Sequence, residues 1–253
     1  MQNKLKSVEL FKPIPIRPRA DGRINFLLRC IVDLQLLTIY RFLQNELPQL
    51  QGRVLDLGAG LAPWRDLLTN AEYFGLDIEH SEQFGMKRTD GVEYFDGARI
   101  PFPDGSVDHV LCAEVLEHVP NACALMVEVC RVLKKGGTLI VTIPWSARVH
   151  HLPHDYRRLT PEGLRVIFHD SGFGKLRIYE RGSDLAVISN KAIVILLRLF
   201  GPSSRLHILW CWPLALLLLP FVGALLLNAH LSLRFKLGSA QDPLGYGVVA
   251  HKQ

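Results

Sequence analysis

The octapeptide Arg53 to Gly60, RVLDLGAG, constrains the fold more than any other stretch of this chain. Val54, Leu55 and Leu57 read as a short buried parallel strand, and Gly58 and Gly60 then allow a tight turn that brings backbone close to a ligand. Such a strand and turn open an α/β unit with a nucleotide-like ligand at the carboxyl end of the strand. A dinucleotide fingerprint, GxGxxG, requires a third small residue where helix meets strand. Here that position is Pro63, followed by bulky Trp64, and the strand already carries a carboxylate at Asp56. An anionic pyrophosphate would be repelled there, whereas a cationic sulfonium amino acid would be attracted.

The acids downstream support the cation. YFGLDIE, Tyr73 to Glu79, reads as a second strand ending in a carboxylate at the distance from the first turn where an acid accepts from ribose hydroxyls. Asp77 is the candidate and Glu79 the alternate. VEYFDGARIPFPDGSVDHVLCAEVLEH, Val92 to His118, then gives a third strand ending at Asp96, an apolar loop, and a fourth strand through Val110 to Ala113. From Arg53 to Tyr179 the chain resembles the class I S-adenosylmethionine-dependent methyltransferases, especially the group whose members carry a DGSFD segment followed by EVLEH. The resemblance implies S-adenosyl-L-methionine as cofactor and methyl transfer as the reaction. It implies that Gly58 and Gly60 approach the methionine part, Asp56 lies near its amino group, Asp77 holds the ribose, Asp96 accepts from the adenine amino group, and Glu114 faces the cofactor. Where the family's turn often has a third glycine, this chain has Ala62. A nicotinamide-dependent oxidoreductase is the rejected alternative, on Pro63 and Asp56.

The elements alternate strand and helix, which predicts a Rossmann-like, doubly wound sheet of seven strands, mostly parallel with the last antiparallel. A helix is expected over Ile24 to Leu47; the resemblance places it over the cofactor pocket, and packing on the sheet edge is the other reading. A crossover helix is expected over Leu61 to Asn70, and another from Pro120 to Leu133, ended by Lys134, Lys135 and Gly136-Gly137. Thr138 to Ile143 is the fifth strand. Thr160 should cap a helix that begins at Pro161, and Leu176 to Tyr179 is the sixth strand. The seventh, within Leu244 to His251, arrives only after an apolar helical insertion. The divisions are therefore residues 1–48 as an N-terminal extension and covering helix, 49–183 with 240–253 as the cofactor domain, and 184–239 as the insertion.

Mean hydropathy is +0.17, and the excess lies after Leu185. Ile208 to Leu227 holds about 20 apolar residues without a charge, enough to span a bilayer core as helix. Because the sixth and seventh strands share one sheet, the chain must return to the side it left. Leu185 to Leu237 is expected to dip into or lie on a membrane as a hairpin, monotopic on the cytoplasmic face, in preference to two full spans. A subdomain or dimer interface buried in protein is the competing reading. Net charge is +5, with basic residues at both ends of the apolar stretch and near the start, a distribution suited to anionic lipid and not to nucleic acid. Five cysteines with no CxxC pair suggest a reducing compartment, and the first 20 residues offer no run suited to a signal peptide.

Candidate chemistry follows the fourth and fifth strands. His118 is one candidate base; His154 with Asp155 is preferred, from the cluster His150, His151, His154, Asp155, Tyr156 and Arg157 in RVHHLPHDYRRLTPEGL, Arg148 to Leu164. No ligand spacing enforces a metal there, and none is expected. The acceptor would be lipid-linked or a small molecule: a hydroxyl of a lipid-linked glycan or a quinone-like lipid. The alternative is a non-catalytic cofactor-binding scaffold recruited to the membrane.

Overall fold

Six residues, Gly52–Leu57, form β1, and alternate side chains go to opposite faces of the sheet, as pleating requires. Leu55, with Val110, Leu139 and Val248 of neighbouring strands, lies in a core completed by Met126, Val129, Leu164 and Phe168. Val54, with Leu111 and Ile140, faces a second core built on Leu36, Ile39 and Leu43. This computed structural model describes residues 14–84, 86–201 and 205–253. The N-terminal extension before residue 14, Lys12 included, lies outside them.

The sheet has seven strands: β1, β2 (Ala71–Ile78), β3 (Val92–Phe95), β4 (Val107–Ala113), β5 (Leu133–Pro144), β6 (Phe173–Arg181) and β7 (Gly245–Lys252). Their order is β3-β2-β1-β4-β5-β7-β6, with β7 antiparallel to both neighbours, as expected from the sequence. On one face lie α3 (Ala122–Val132) and α4 (Pro161–Asp170), the latter capped by Thr160, whose hydroxyl accepts from the Gly163 amide at 3.1 Å.

Three expectations are corrected. The single N-terminal helix is two, α1 (Arg23–Val32) and α2 (Leu34–Glu46). Asp33 breaks it: its backbone leaves the helical region and its carboxylate accepts from the Leu36 amide at 3.0 Å, starting a new helix. This pair packs on a sheet face through Phe26, Leu36, Ile39 and Leu43, and the cofactor-side cavity described below is lined by none of its residues. The first crossover is no helix but one 3-10 turn, Arg65–Leu67, because Gly60 and Ala62 both adopt positive φ and leave too little chain before β2. Finally, β5 begins at Leu133, at once after α3; Leu133 pairs with Val107 of β4, and the residues expected to punctuate the helix, Lys134 to Gly137, form an irregularity inside the strand before Thr138 pairs with His109.

The insertion is a helical hairpin, α5 (Asp184–Phe200) and α6 (Arg205–Phe235). Ile193 and Leu196 pack on Ala215 and Val222 along its length, and at its base Ala186, Val187 and Ala229 pack on Leu34 and Leu244. Pro213 and Pro220 lie inside α6 without ending it. His207–Phe235, with mean hydropathy 2.2, is long and apolar enough to cross a membrane, and only 11% of its most apolar window is buried. Helix α1 adds exposed Ile24, Leu27, Leu28 and Ile31 near the hairpin's base, where His230 Nε2 contacts the Ile31 carbonyl at 2.8 Å.

Candidate functional site

A cavity of about 440 Å³ opens at the carboxyl ends of β1, β2 and β4, where parallel sheets bind ligands. Gly58, Gly60, His118 and His151 are among the residues that line it. Gly58 has φ +76°, and a Cβ there would lie 2.4 Å from Cγ2 of Val115. Gly58→Ala should therefore cost about 1–3 kcal/mol and weaken ligand binding, with partial recovery in the Gly58→Ala/Val115→Ala double variant; thermal melts of the three proteins check this. Ala62, at φ +52°, holds the left-handed conformation for which the resembled family often uses glycine.

Asp77 and Glu114 line this cavity. Asp77 Oδ2 accepts from the Gly60 amide at 2.8 Å and Oδ1 from the Ile78 amide at 2.7 Å, so it fixes the glycine turn from the neighbouring strand. Burial raises its pKa, opposed by those two amides. Glu114, at φ +56°, accepts from Arg181 at 2.8 Å. Arg181 is buried at the end of β6 and donates also to the Ile143 and Tyr246 carbonyls.

Asp56 and Asp96 take other places. Asp56 is buried beneath the turn, away from the cavity wall, and accepts from the Tyr73 hydroxyl at 2.9 Å; burial pushes its pKa up to about 7. Asp96 is exposed and accepts from the Ala98 amide at 2.8 Å, shaping the loop whose Gly97 and Ala98 do line the cavity. Of the three aspartates expected at the cofactor, Asp77 alone lines the cavity; Asp56 is held below the turn and Asp96 lies on the exposed loop.

The expected His154–Asp155 pair does not form. Asp155 receives two bonds from Arg158, at 2.6 and 2.9 Å, and one from the His150 amide at 2.9 Å. Burial pushes its pKa up, but the Arg158 bonds outweigh this and leave it below the ordinary value. Its nearest ring is that of His150, with Nδ1 at 3.3 Å. His154 packs on Phe84, its Nδ1 3.2 Å from the Tyr156 hydroxyl, and is not part of the cavity lining. His118 is. Its Nδ1 lies 2.6 Å from the His154 carbonyl, which can only accept, so Nδ1 carries the proton and Nε2 a lone pair. Burial lowers its pKa to about 4, so it stays neutral.

Two buried groups complete the surroundings; the resemblance places one of them, Glu117, after the fourth strand with Glu114 and His118, facing cofactor and acceptor. Glu117 is wholly buried, and neither carboxylate oxygen has a hydrogen-bond partner among the described residues. Its Oε1 lies 3.7 Å from His118 Nε2, and burial, then Glu114, raises its pKa well above the usual range. Arg181 had no sequence cue, and the bond between Asp155 and Arg158 forms in irregular chain before α4, where spacing gives no signal.

Residues 55–141 match the family described as a methyltransferase domain. The demethylmenaquinone methyltransferase of Staphylococcus haemolyticus is 31% identical over 167 residues, covering 50% of this chain and 70% of that protein. The chain belongs to the class I S-adenosylmethionine-dependent methyltransferases. An S-adenosylmethionine-dependent methyltransferase of Thermotoga maritima shares the fold, with a TM-score of 0.53 at 13% identity, over 93% of this chain and 97% of that one. A cyclase also shares it, with a TM-score of 0.53 at 20% identity over 96% and 99%, so the fold by itself leaves the reaction open. The chain spans between 37% and 57% of the length of four other curated relatives. The methyltransferase family brings S-adenosylmethionine as its cofactor, and the wall of Gly58, Gly60 and Asp77 suits it: close backbone on one side and a carboxylate on the other.

Proposed function

We propose that this methyltransferase works at the cytoplasmic face of a membrane and moves the methyl group of S-adenosylmethionine to a hydroxyl of a lipid-linked or lipid-like acceptor. One observation carries the reading: the apolar hairpin leaves from the same edge of the sheet that holds the cavity. Strand β6 is antiparallel to β7, as β5 is, so the end of β6 at Arg181 lies with the carboxyl ends of β1 and β4. The Arg181–Glu114 ion pair joins the base of the hairpin to the cavity wall. A chain docked through α6 would thus keep its cavity near the lipid. The exposed apolar residues of α1 extend that face, and Arg23, Arg29, Arg234 and Lys236 flank it with positive charge suited to anionic headgroups. The relative from Staphylococcus haemolyticus is named for a quinone acceptor, the kind of molecule this placement suits.

In the bound state the residue roles are these. Gly58 and Gly60 admit the methionine part, Asp77 accepts from the ribose, Gly97 and Ala98, shaped by Asp96, border the adenine, and Glu114 meets the amino end. The acceptor enters beside His118. S-adenosylmethionine, when bound, would supply an activated methyl group for the acceptor hydroxyl, whose proton would pass to water. His118, neutral because burial lowers its pKa to about 4, presents the Nε2 lone pair at the acceptor's end of the cavity. His154 and Asp155 support the loop.

Membranes from cells with and without the gene, incubated with tritiated S-adenosylmethionine and purified protein, test this. Label should enter the organic-extractable fraction of the deficient membranes. Label only in aqueous small molecules would overturn the lipid acceptor, and S-adenosylhomocysteine binding with no transfer to any fraction would favour the scaffold.

A further inference from the structure

We propose that His118, His150 and His151 form a site for a divalent first-row transition ion, of which zinc is the type, with its open position toward the cavity. One ring nitrogen of each lies within 4.8 Å of the others, although two of the three residues come from the loop after β5 and one from the turn after β4. Two of the rings are already oriented as metal ligands usually are, with the far nitrogen held by a backbone carbonyl or carboxylate. His118 directs Nδ1 at the His154 carbonyl at 2.6 Å, and His150 directs Nδ1 at the Arg148 carbonyl at 3.1 Å and at Asp155 Oδ2 at 3.3 Å. In both, Nε2 keeps its lone pair.

The three rings gather into one cluster, with centroids 4.8 to 5.1 Å apart. Zinc–imidazole bonds of about 2.0–2.1 Å in a tetrahedron require ligand nitrogens about 3.3 Å apart, so the rings need close by no more than about 1.5 Å. A second feature points to a cation. Glu117 is fully buried with both oxygens lacking a hydrogen-bond partner among the described residues, and its Oε1 lies 3.7 Å from His118 Nε2. A positive ion at the histidines would compensate that carboxyl, which no described side chain bonds.

Three imidazoles leave a zinc ion one further position. Since His118 and His151 line the cavity, that position faces the place where an acceptor oxygen would stand. The ion's role as the holder of that oxygen rests on the function proposed above; the ion's presence does not.

Tag-free full-length protein, stripped with chelator, is titrated with cobalt(II) and then with zinc(II), reading the visible absorption of tetrahedral cobalt. One equivalent should bind and be displaced by zinc. His118→Ala, His150→Ala and His151→Ala should each weaken binding by at least about 10-fold; His169→Ala, on an exposed ring, should leave it unchanged. The wild-type titration stands without the variants should any of them fail to fold. No tetrahedral spectrum at stoichiometric cobalt, or three variants that bind as the parent does, overturns the site. S-adenosylhomocysteine calorimetry on the same samples keeps the failures apart: a cobalt spectrum without cofactor heat upholds the ion and sinks the cofactor reading, and the reverse sinks only the ion.

Discussion

Glutamate at both Leu217 and Phe221 should move the protein from the membrane fraction into the soluble one. These side chains are 74% and 62% exposed, so their replacement removes almost no contact within the folded chain. In a bilayer each contributes about 1.5–3 kcal/mol of apolar burial, and a carboxylate in their place adds a desolvation cost. Together the two substitutions should shift partitioning by about 5 kcal/mol or more, over a thousandfold. Flotation with vesicles containing anionic lipid reads the shift, and a melt should show unchanged stability. Retention of the variant on vesicles, or a parent protein that never floats, would remove the hairpin's assigned role. Deleting residues 184–239 with a short linker is the coarser version: the remainder should stay in solution and still bind cofactor. Aggregation with loss of binding would show that Leu34 and Leu244, which Ala186, Val187 and Ala229 cover, cannot do without the helices.

Asp77→Ala should abolish measurable S-adenosylhomocysteine binding. A carboxylate that accepts from two ribose hydroxyls contributes roughly 1.5–3 kcal/mol per charge-assisted bond, so its removal should weaken binding by about a hundredfold or more. Part of that loss comes through the turn, because the same carboxylate accepts from the Gly60 amide at 2.8 Å. Asp77→Asn separates the contributions: it keeps an acceptor for Gly60 and loses the charge, and should bind about 10-fold more weakly than the parent. Unchanged affinity in Asp77→Ala would place the cofactor elsewhere, and NADH binding in preference to S-adenosylhomocysteine would overturn the electrostatic basis of the assignment.

The strands were legible because continuous apolar runs such as Leu139 to Ile143 mark both-face burial, and because the late LGYGVVAH could only complete the sheet between β5 and β6. The break at Asp33 was not, since apolar spacing continues on both sides of it and only the carboxylate's bond to Leu36 reveals the cap. Nor was the missing crossover helix, which depends on the positive φ of Ala62. At the site, Gly58, Gly60, Asp77, Glu114 and His118 reach the cavity, whereas Asp56 does not: a residue on a strand can point beneath the turn it precedes. The histidine cluster was invisible as a ligand set because parallel crossovers, not sequence spacing, bring His118 to His150 and His151.

Strand β7 enters the sheet between two strands made before it, and it follows the apolar hairpin along the chain. During synthesis the slot between β5 and β6 therefore stays unfilled until the whole lipophilic segment has been translated. On the docking role proposed above, the lipid-binding hairpin is complete before the sheet can close, so a nascent chain stalled before residue 245 would hold the hairpin without the finished sheet.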